Sequence, residues 1–146
     1  LKKIYKIKRR SRNKAFLLIS DNAKKFRSFI EESYFDKELD IFNQWPKHTS
    51  YLLKRKNKDN HYLTPKMLKI GCRIPDHAHL NKYLKNFNFP ITSTSANYSG
   101  QKSLKRFRDC CRIFSNKSCI ILKNKIGSYK KPSRIIDFDS KKIIRN

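Results

Sequence analysis
Apolar positions along the chain fall into short runs separated by amphipathic stretches, and the spacing within each predicts an element. Ile4-Tyr5-Lys6-Ile7-Lys8 alternates with period two, the pattern of a strand with one buried face. Phe16–Ile19 is continuously apolar and predicts a second, more deeply buried strand. Asp21 stands where an N-cap is needed, ahead of Ala23, Phe26, Phe29 and Ile30 on one helical face. Glu38–Trp45 reads as a shorter helix stopped by Pro46. Ser50–Leu53 and Ile70–Ile74 read as strands, with a charged loop over Lys54–Asn60 between them and Pro75 ending the second. Leu80, Tyr83, Leu84 and Phe87 recur at i, i+3, i+4, i+7 and predict a helix. Phe89–Thr92 is a brief strand that runs into the polar loop Ser93–Gly100. Beyond it, Leu104, Phe107, Cys111 and Phe114 form the inner face of another helix. Cys119–Leu122, Arg134–Phe138 and Lys142–Arg145 close the chain as strands. This mixture predicts an α/β or α+β fold, one mixed sheet with helices packed on it.

Composition sharpens the class. The 146 residues fit one domain, and 38% hydrophobic with 12% aromatic residues is too apolar for a disordered basic tail. The longest apolar run, Ala15–Ile19, predicts neither a transmembrane helix nor a signal-peptide core. The formal charge of +25 invites a nucleic-acid partner. Yet the chain holds 25 lysines, 16 isoleucines and 12 asparagines but no valine, as drift toward A/T-rich codons would produce. The charge therefore permits a polyanionic partner without demanding one.

Cys72, Cys110, Cys111 and Cys119 form no CxxC pair, so reduced thiols and a cytoplasmic location are expected. His77 and His79 lie two apart, which does not put them on one face of a helix, and no metal site is expected there. Lys8 and Arg10 leave the first predicted strand as an i, i+2 pair of cations, suited to a polyphosphate or a carboxylate. The loop Thr92–Gly100 is dense in hydroxyls and amides, between a strand and a helix where α/β sheets hold ligands. There is no Gly-x-Ser-x-Gly elbow, no Walker loop and no dinucleotide fingerprint, so covalent nucleophilic chemistry has no support.

Ser93-Thr94-Ser95-Ala96-Asn97-Tyr98-Ser99-Gly100 closely resembles the STSANLSG motif of the threonylcarbamoyl-AMP synthase family, the YrdC/Sua5-type enzymes of tRNA modification. Other landmarks follow in the family's order. Ile4–Arg10 resembles its strand leading into K-x-R, and Trp45-Pro46 sits where the family has W-P-G-P-x-T. Cys72–His77 is similar to V-R-x-P-x-H, Pro132–Asp137 to P-S-T-I-V-D, and Ile143–Arg145 to a closing I-L-R. The resemblance implies a YrdC-like domain over residues 1–146, a twisted mixed sheet flanked by helices. It also implies that this domain lacks the family's opening P-T-[DE]-T-x-Y-G-L-G segment, which has no counterpart in the sequence.

By that resemblance the protein is expected to join L-threonine, bicarbonate and ATP into threonylcarbamoyl-adenylate, releasing pyrophosphate. The product serves threonylcarbamoyl-adenosine modification at position 37 of tRNAs reading ANN codons, so tRNA or the transfer machinery is an implied partner. Lys8, Arg10, Lys14, Asn97 and Arg145 are the implied ATP-binding residues, and Lys8, Arg10, Ser95 and Asn97 the implied catalytic ones. Arg73, Ser95 and Ser133 are implied for threonine, and Mg2+ is expected on the triphosphate with little protein ligation. Departures accompany these matches: Ser11 replaces the proline after K-x-R, Lys47-His48-Thr49-Ser50 replaces G-P-x-T, and Arg134 replaces the threonine of P-S-T-I. An alternative reading is a non-catalytic, basic tRNA- or duplex-RNA-binding module. A carbamoyl-transfer domain of hydrogenase maturation is a third, weaker one.

Overall fold
The computed structural model describes residues 1–36, 41–56, 63, 67–117, 119–124, 126–129 and 131–146. Six strands form one mixed sheet: β1 Leu17–Ile19, β2 Thr49–Lys54, β3 Lys69–Arg73, β4 Ile91–Ser93, β5 Arg134–Asp137 and β6 Ile143–Arg145. Their order across the sheet is β4-β1-β3-β2-β5-β6. The β1–β3 and β2–β5 pairs are parallel, and the other three are antiparallel. Among the described residues three α-helices accompany them: α1 Lys2–Lys8, α2 Ala78–Leu84 and α3 Phe107–Phe114. The α/β expectation therefore holds.

Register explains how the sheet divides core from site. Leu18 is opposite Cys72, Cys72 opposite Tyr51, and Tyr51 opposite Ile136, so one row of side chains shares a face. With Phe26, Ile30, Leu53 and Ile70 these residues build the core. Leu18, Leu53, Ile70 and Cys72 are at most 1% exposed, and burial pushes the Cys72 thiol well above its ordinary pKa. The alternate residues Leu17, Leu52, Gly71, Arg73 and Ile135 face the other way and line a cavity. A side chain at Gly71 would place its Cβ 2.2 Å from Leu17 Cδ2, so glycine lets the β1 side chain lie across β3 at the cavity floor.

Several expectations are corrected. Ile4–Lys8 is helical, not extended, because Tyr5 and Lys8, three apart, are the positions that bury. Five residues are too few to separate the two periods, since Tyr5 and Ile7 fit a period of two while Ile4 and Ile7 fit a spacing of three. Arg9 then takes a left-handed conformation that ends the helix, with the Arg10 amide donating to the Tyr5 carbonyl at 2.9 Å. Asn22, not Asp21, caps the next element, its Oδ1 accepting from the Lys24 amide at 2.9 Å. That element is only a 3-10 turn, Ala23–Phe26, and Asp21 instead pairs with Lys25 at 2.7 Å.

Of the Glu38–Trp45 helix, residues 38–40 lie outside the described residues, and Ile41–Gln44 is a 3-10 turn before a cis Trp45–Pro46 bond. Most of the Lys54–Asn60 loop also lies outside them. α2 stops at Leu84 and buries Leu84 alone, leaving Tyr83 and Phe87 exposed. α3 buries Phe114, which meets the Tyr98 ring edge-on at 5.8 Å, while Phe107 is exposed. Cys119–Leu122 is no strand: it pairs with nothing in the sheet, and Ile120 is 92% exposed. No helix among the described residues is long and apolar enough to cross a membrane.

Candidate active site
The cavity over the free face of the sheet has a volume of about 490 Å³. Its floor is apolar, from Leu17, Leu52 and Ile135, and its walls carry Arg10, Lys69, Arg73 and Arg145 with the hydroxyls of Thr94, Ser95 and Ser133. Among the described residues, no carboxylate lines it. Lys69 is neutralised from the side, by Asp137 at 2.8 Å and Asp139 at 2.7 Å. Among the described residues, Arg10, Arg73 and Arg145 have no carboxylate oxygen within 4.0 Å. Three guanidinium groups therefore surround a space with no protein counter-charge, an arrangement suited to an anion.

One wall is the loop after β4, held by the end of α1. Lys8 is 5% exposed, and its Nζ donates to the Ser95 carbonyl, to the Asn97 carbonyl at 2.7 Å and to Asn97 Oδ1 at 3.2 Å. An ammonium has three donors, and all three are taken by the loop. Burial first, and then the Arg10 charge, hold the Lys8 pKa below its ordinary value. Ser95 Oγ donates to Asn97 Oδ1 at 2.7 Å, the Asn97 amide group donates to the Gln101 carbonyl, and the Ser99 amide donates to the Lys8 carbonyl at 2.9 Å. Lys14 Nζ donates to Ser99 Oγ at 3.2 Å, and the Arg9 guanidinium lies 4.7 Å from the Tyr98 ring centroid. Lys8, Lys14 and Asn97 thus sit behind the loop and are not cavity-lining residues.

Arg10 reaches the cavity beside Phe16, with its guanidinium 4.9 Å from the ring centroid and one nitrogen donating to the Ala15 carbonyl at 2.6 Å. On the opposite wall, the buried hydroxyls of Ser50 and Ser133 are 3.0 Å apart. The Arg145 guanidinium donates to the Ser133 carbonyl at 2.6 and 3.2 Å. Arg73 projects from β3 nearby; burial, then the Arg145 charge, lower its pKa from the usual arginine value. The Nε atoms of both Arg10 and Arg73 are buried and lack a hydrogen-bond partner. A buried N–H with no acceptor costs about 1–3 kcal/mol, so both groups are kept at the expense of stability.

The structure brings Arg10, Arg73, Ser95, Ser133 and Arg145 to one cavity, although they span the chain from α1 to β6. Sequence reasoning missed the apolar floor and Lys69; the signal was the odd-numbered register of β3, whose Lys69, Gly71 and Arg73 all line the cavity. Among the described residues no group of three His, Cys, Asp or Glu side chains is placed to hold a metal, and the four cysteines are free.

The Lys69 network sets an acid limit on stability. Lys69, with Tyr34 on Asp139, holds the Asp137 and Asp139 carboxyls below their usual range despite partial burial. That stabilisation is complete above the ordinary carboxylate pKa of about 4 and is lost as pH falls through the depressed values. Urea midpoints measured on both sides of that range are expected to fall more for the native sequence than for Lys69→Met.

Fold and cavity together define an α/β protein with an arginine-lined pocket on the uncovered face of its sheet. The family model described as "Telomere recombination", for Sua5, YciO and YrdC proteins, matches residues 1–146. The threonylcarbamoyl-AMP synthase of Buchnera aphidicola subsp. Baizongia pistaciae is 32% identical over 149 residues, 100% of this chain and 79% of that protein. The threonylcarbamoyl-AMP synthase of Chromobacterium violaceum is 28% identical, over 99% of this chain and 75% of that one. The crystal structure of P. abyssi Sua5 complexed with L-threonine superposes with a TM-score of 0.81 at 20% identity, over 93% of this chain and 40% of that one. The chain belongs to the Sua5/YciO/YrdC family, and its relatives named as synthases are enzymes.

Proposed function
We propose that the chain is an L-threonylcarbamoyladenylate synthase, using L-threonine, bicarbonate and ATP. The observation that carries this reading is the pair of buried, unpartnered guanidinium nitrogens of Arg10 and Arg73 in a cavity that no carboxylate lines among the described residues. Both of the chain's proposed substrates with fixed charge, a triphosphate and an amino-acid carboxylate, supply the missing acceptors.

In this reading the apolar floor and Ser95 wall seat the adenylate end, and Arg10 and Arg145 face the phosphates. Arg73 takes the threonine carboxylate, with Ser133 beside it. A carbamate oxygen attacks the α-phosphorus as the bond to the pyrophosphate oxygen breaks, and the pyrophosphate carries away the electron pair. No enzyme nucleophile is required, so catalysis rests on positioning and charge neutralisation. Lys8 and Asn97 hold the loop that presents Ser95, and Lys14 braces its far end through Ser99. A Mg2+ ion fits only as a companion of the triphosphate, since the lining offers hydroxyls and no carboxylate; there it would add neutralising charge. The product feeds threonylcarbamoylation of adenosine 37 in tRNAs reading ANN codons. The test is pyrophosphate release with all three substrates: release that depends on threonine supports the reading, and release indifferent to threonine, or none, overturns it.

A second reading, a basic module binding tRNA or duplex RNA, is favoured by one feature. A groove of about 540 Å³ along α1 is lined by Lys2, Lys3, Lys6, Arg9, Arg10 and Arg12 with Tyr5, and by no acidic residue. Residues 1–20 contain eight cations and no Asp or Glu. Binding of tRNA through this groove weakens linearly in log affinity against log salt, by about 0.9 per phosphate neutralised on a duplex. Titration at several ionic strengths checks it, and a flat salt dependence contradicts it.

A further inference from the structure
The wall that carries Ser133 is not fixed by regular structure. The described residues 126–129 and 131–133 form no helix or strand, and Ile126 and Tyr129 are 61% and 48% exposed. Yet Ser133 itself is 4% exposed and joins Ser50 and Arg145 in the cavity wall. Some contact has to hold an exposed segment so that its last residue is placed.

His48 makes that contact from both sides. Its carbonyl accepts the Arg134 amide at 3.1 Å, one residue after Ser133, while its ring Nε2 lies 2.9 Å from the Lys131 carbonyl, two residues before it. A carbonyl only accepts, so Nε2 carries the proton in this contact. The ring is oriented by Tyr129, stacked on it at 3.8 Å between centroids and 8° between planes. Tyr129 is tethered in turn, its hydroxyl donating to the Asp76 carboxylate at 3.3 Å just after β3. Gly127 passes so close to His77 that a Cβ there would lie 3.1 Å from the imidazole. His48 stands where the family motif quoted above has a proline, which has no ring nitrogen able to donate to a carbonyl.

We propose that His48 and Tyr129 form a stacked latch that positions Ser133. Resting on the synthase reading, this latch sets how tightly the cavity holds threonine, without touching the reacting atoms. His48 and Tyr129 are positioning residues. Nothing in this arrangement acts on the Lys8 side of the cavity, so its loss affects one wall and leaves the other in place.

The test is steady-state kinetics on His48→Ala, Tyr129→Ala and Tyr129→Phe, with hydrogen exchange on the same proteins. His48→Ala removes a stack and a hydrogen bond together, and its threonine KM is expected to rise about tenfold with kcat within about twofold. Tyr129→Ala gives a smaller rise, and Tyr129→Phe, which keeps the stack, returns close to the native value. Exchange rises over residues 131–136 in both alanine variants and not over 95–101. Threonine KM and exchange unchanged in both alanine variants overturn the latch, as does a fall in kcat with KM unaltered. If His48→Ala fails to fold, Tyr129→Ala, altered at a half-exposed side chain, decides alone. If the native protein forms no adenylate, the synthase reading fails, and the exchange pattern still decides whether the latch exists.

Discussion

Lys8→Ala is expected to lower threonine-dependent adenylate formation by at least ~100-fold, the scale of misplacing a positioned group by about 1 Å. The reason lies in where its three donors go. All are taken by the Ser95 and Asn97 acceptors, inside a region where Lys8 is 5% exposed. Truncation leaves the Asn97 carbonyl without a donor and takes one donor each from the Ser95 carbonyl and Asn97 Oδ1, and little water can replace it. The loop then loses the geometry that ties Ser95 Oγ to Asn97 Oδ1 at 2.7 Å. Because the loop forms one whole wall, kcat/KM falls for ATP and threonine alike, which distinguishes Lys8 from a residue touching one substrate. Circular dichroism and a thermal melt confirm that the variant is folded. A folded Lys8→Ala protein with near-native rates contradicts the assignment of this loop to the site.

Arg73→Met is expected to separate function from stability in opposite directions. The native side chain is half-buried with an orphaned Nε, beside the like charge of Arg145. Methionine keeps an unbranched apolar stem while removing both the repulsion and the unsatisfied N–H, so the melting temperature rises. Threonine loses its carboxylate partner, a charged hydrogen bond of about 1.5–3 kcal/mol, or roughly ten- to hundredfold in threonine KM. The ATP KM changes far less. A lower melting temperature together with an unaltered threonine KM would show that Arg73 is structural, and would remove the carboxylate side of the pocket.

What the sequence made legible follows from how local each signal is. The strands β2, β3 and β5 were readable because each is a short run carrying apolar residues, Tyr51–Leu53, Ile70–Cys72 and Ile135–Ile136, with nothing competing. The helical character of residues 2–8 was not, because Tyr5 and Ile7 fit a period of two while Ile4 and Ile7 fit a spacing of three, and only tertiary burial of Tyr5 and Lys8 decides. The cationic residues Arg10, Arg73 and Arg145 were singled out by motif, yet their common property, the lack of any carboxylate partner, is a fact of three dimensions. The apolar floor was hidden for a related reason. Leu17, Leu52 and Ile135 look like core residues, and only the strand register assigns them to the cavity face. His48 was visible only as a departure from a motif. Its bracket around Ser133 joins residues 83 positions apart, from His48 to Lys131, which no local pattern encodes.

The central claim is that the cavity joins a threonine-derived carbamate to the α-phosphate of ATP. Carbon-13 bicarbonate, supplied with ATP and L-threonine, tests it most directly, with the adenylate isolated and weighed by mass spectrometry. The account predicts a threonine-containing adenylate heavier by the single labelled carbon, formed together with pyrophosphate and absent when threonine is withheld. An adenylate without the label, or no threonine-dependent adenylate from the folded native chain, would contradict it.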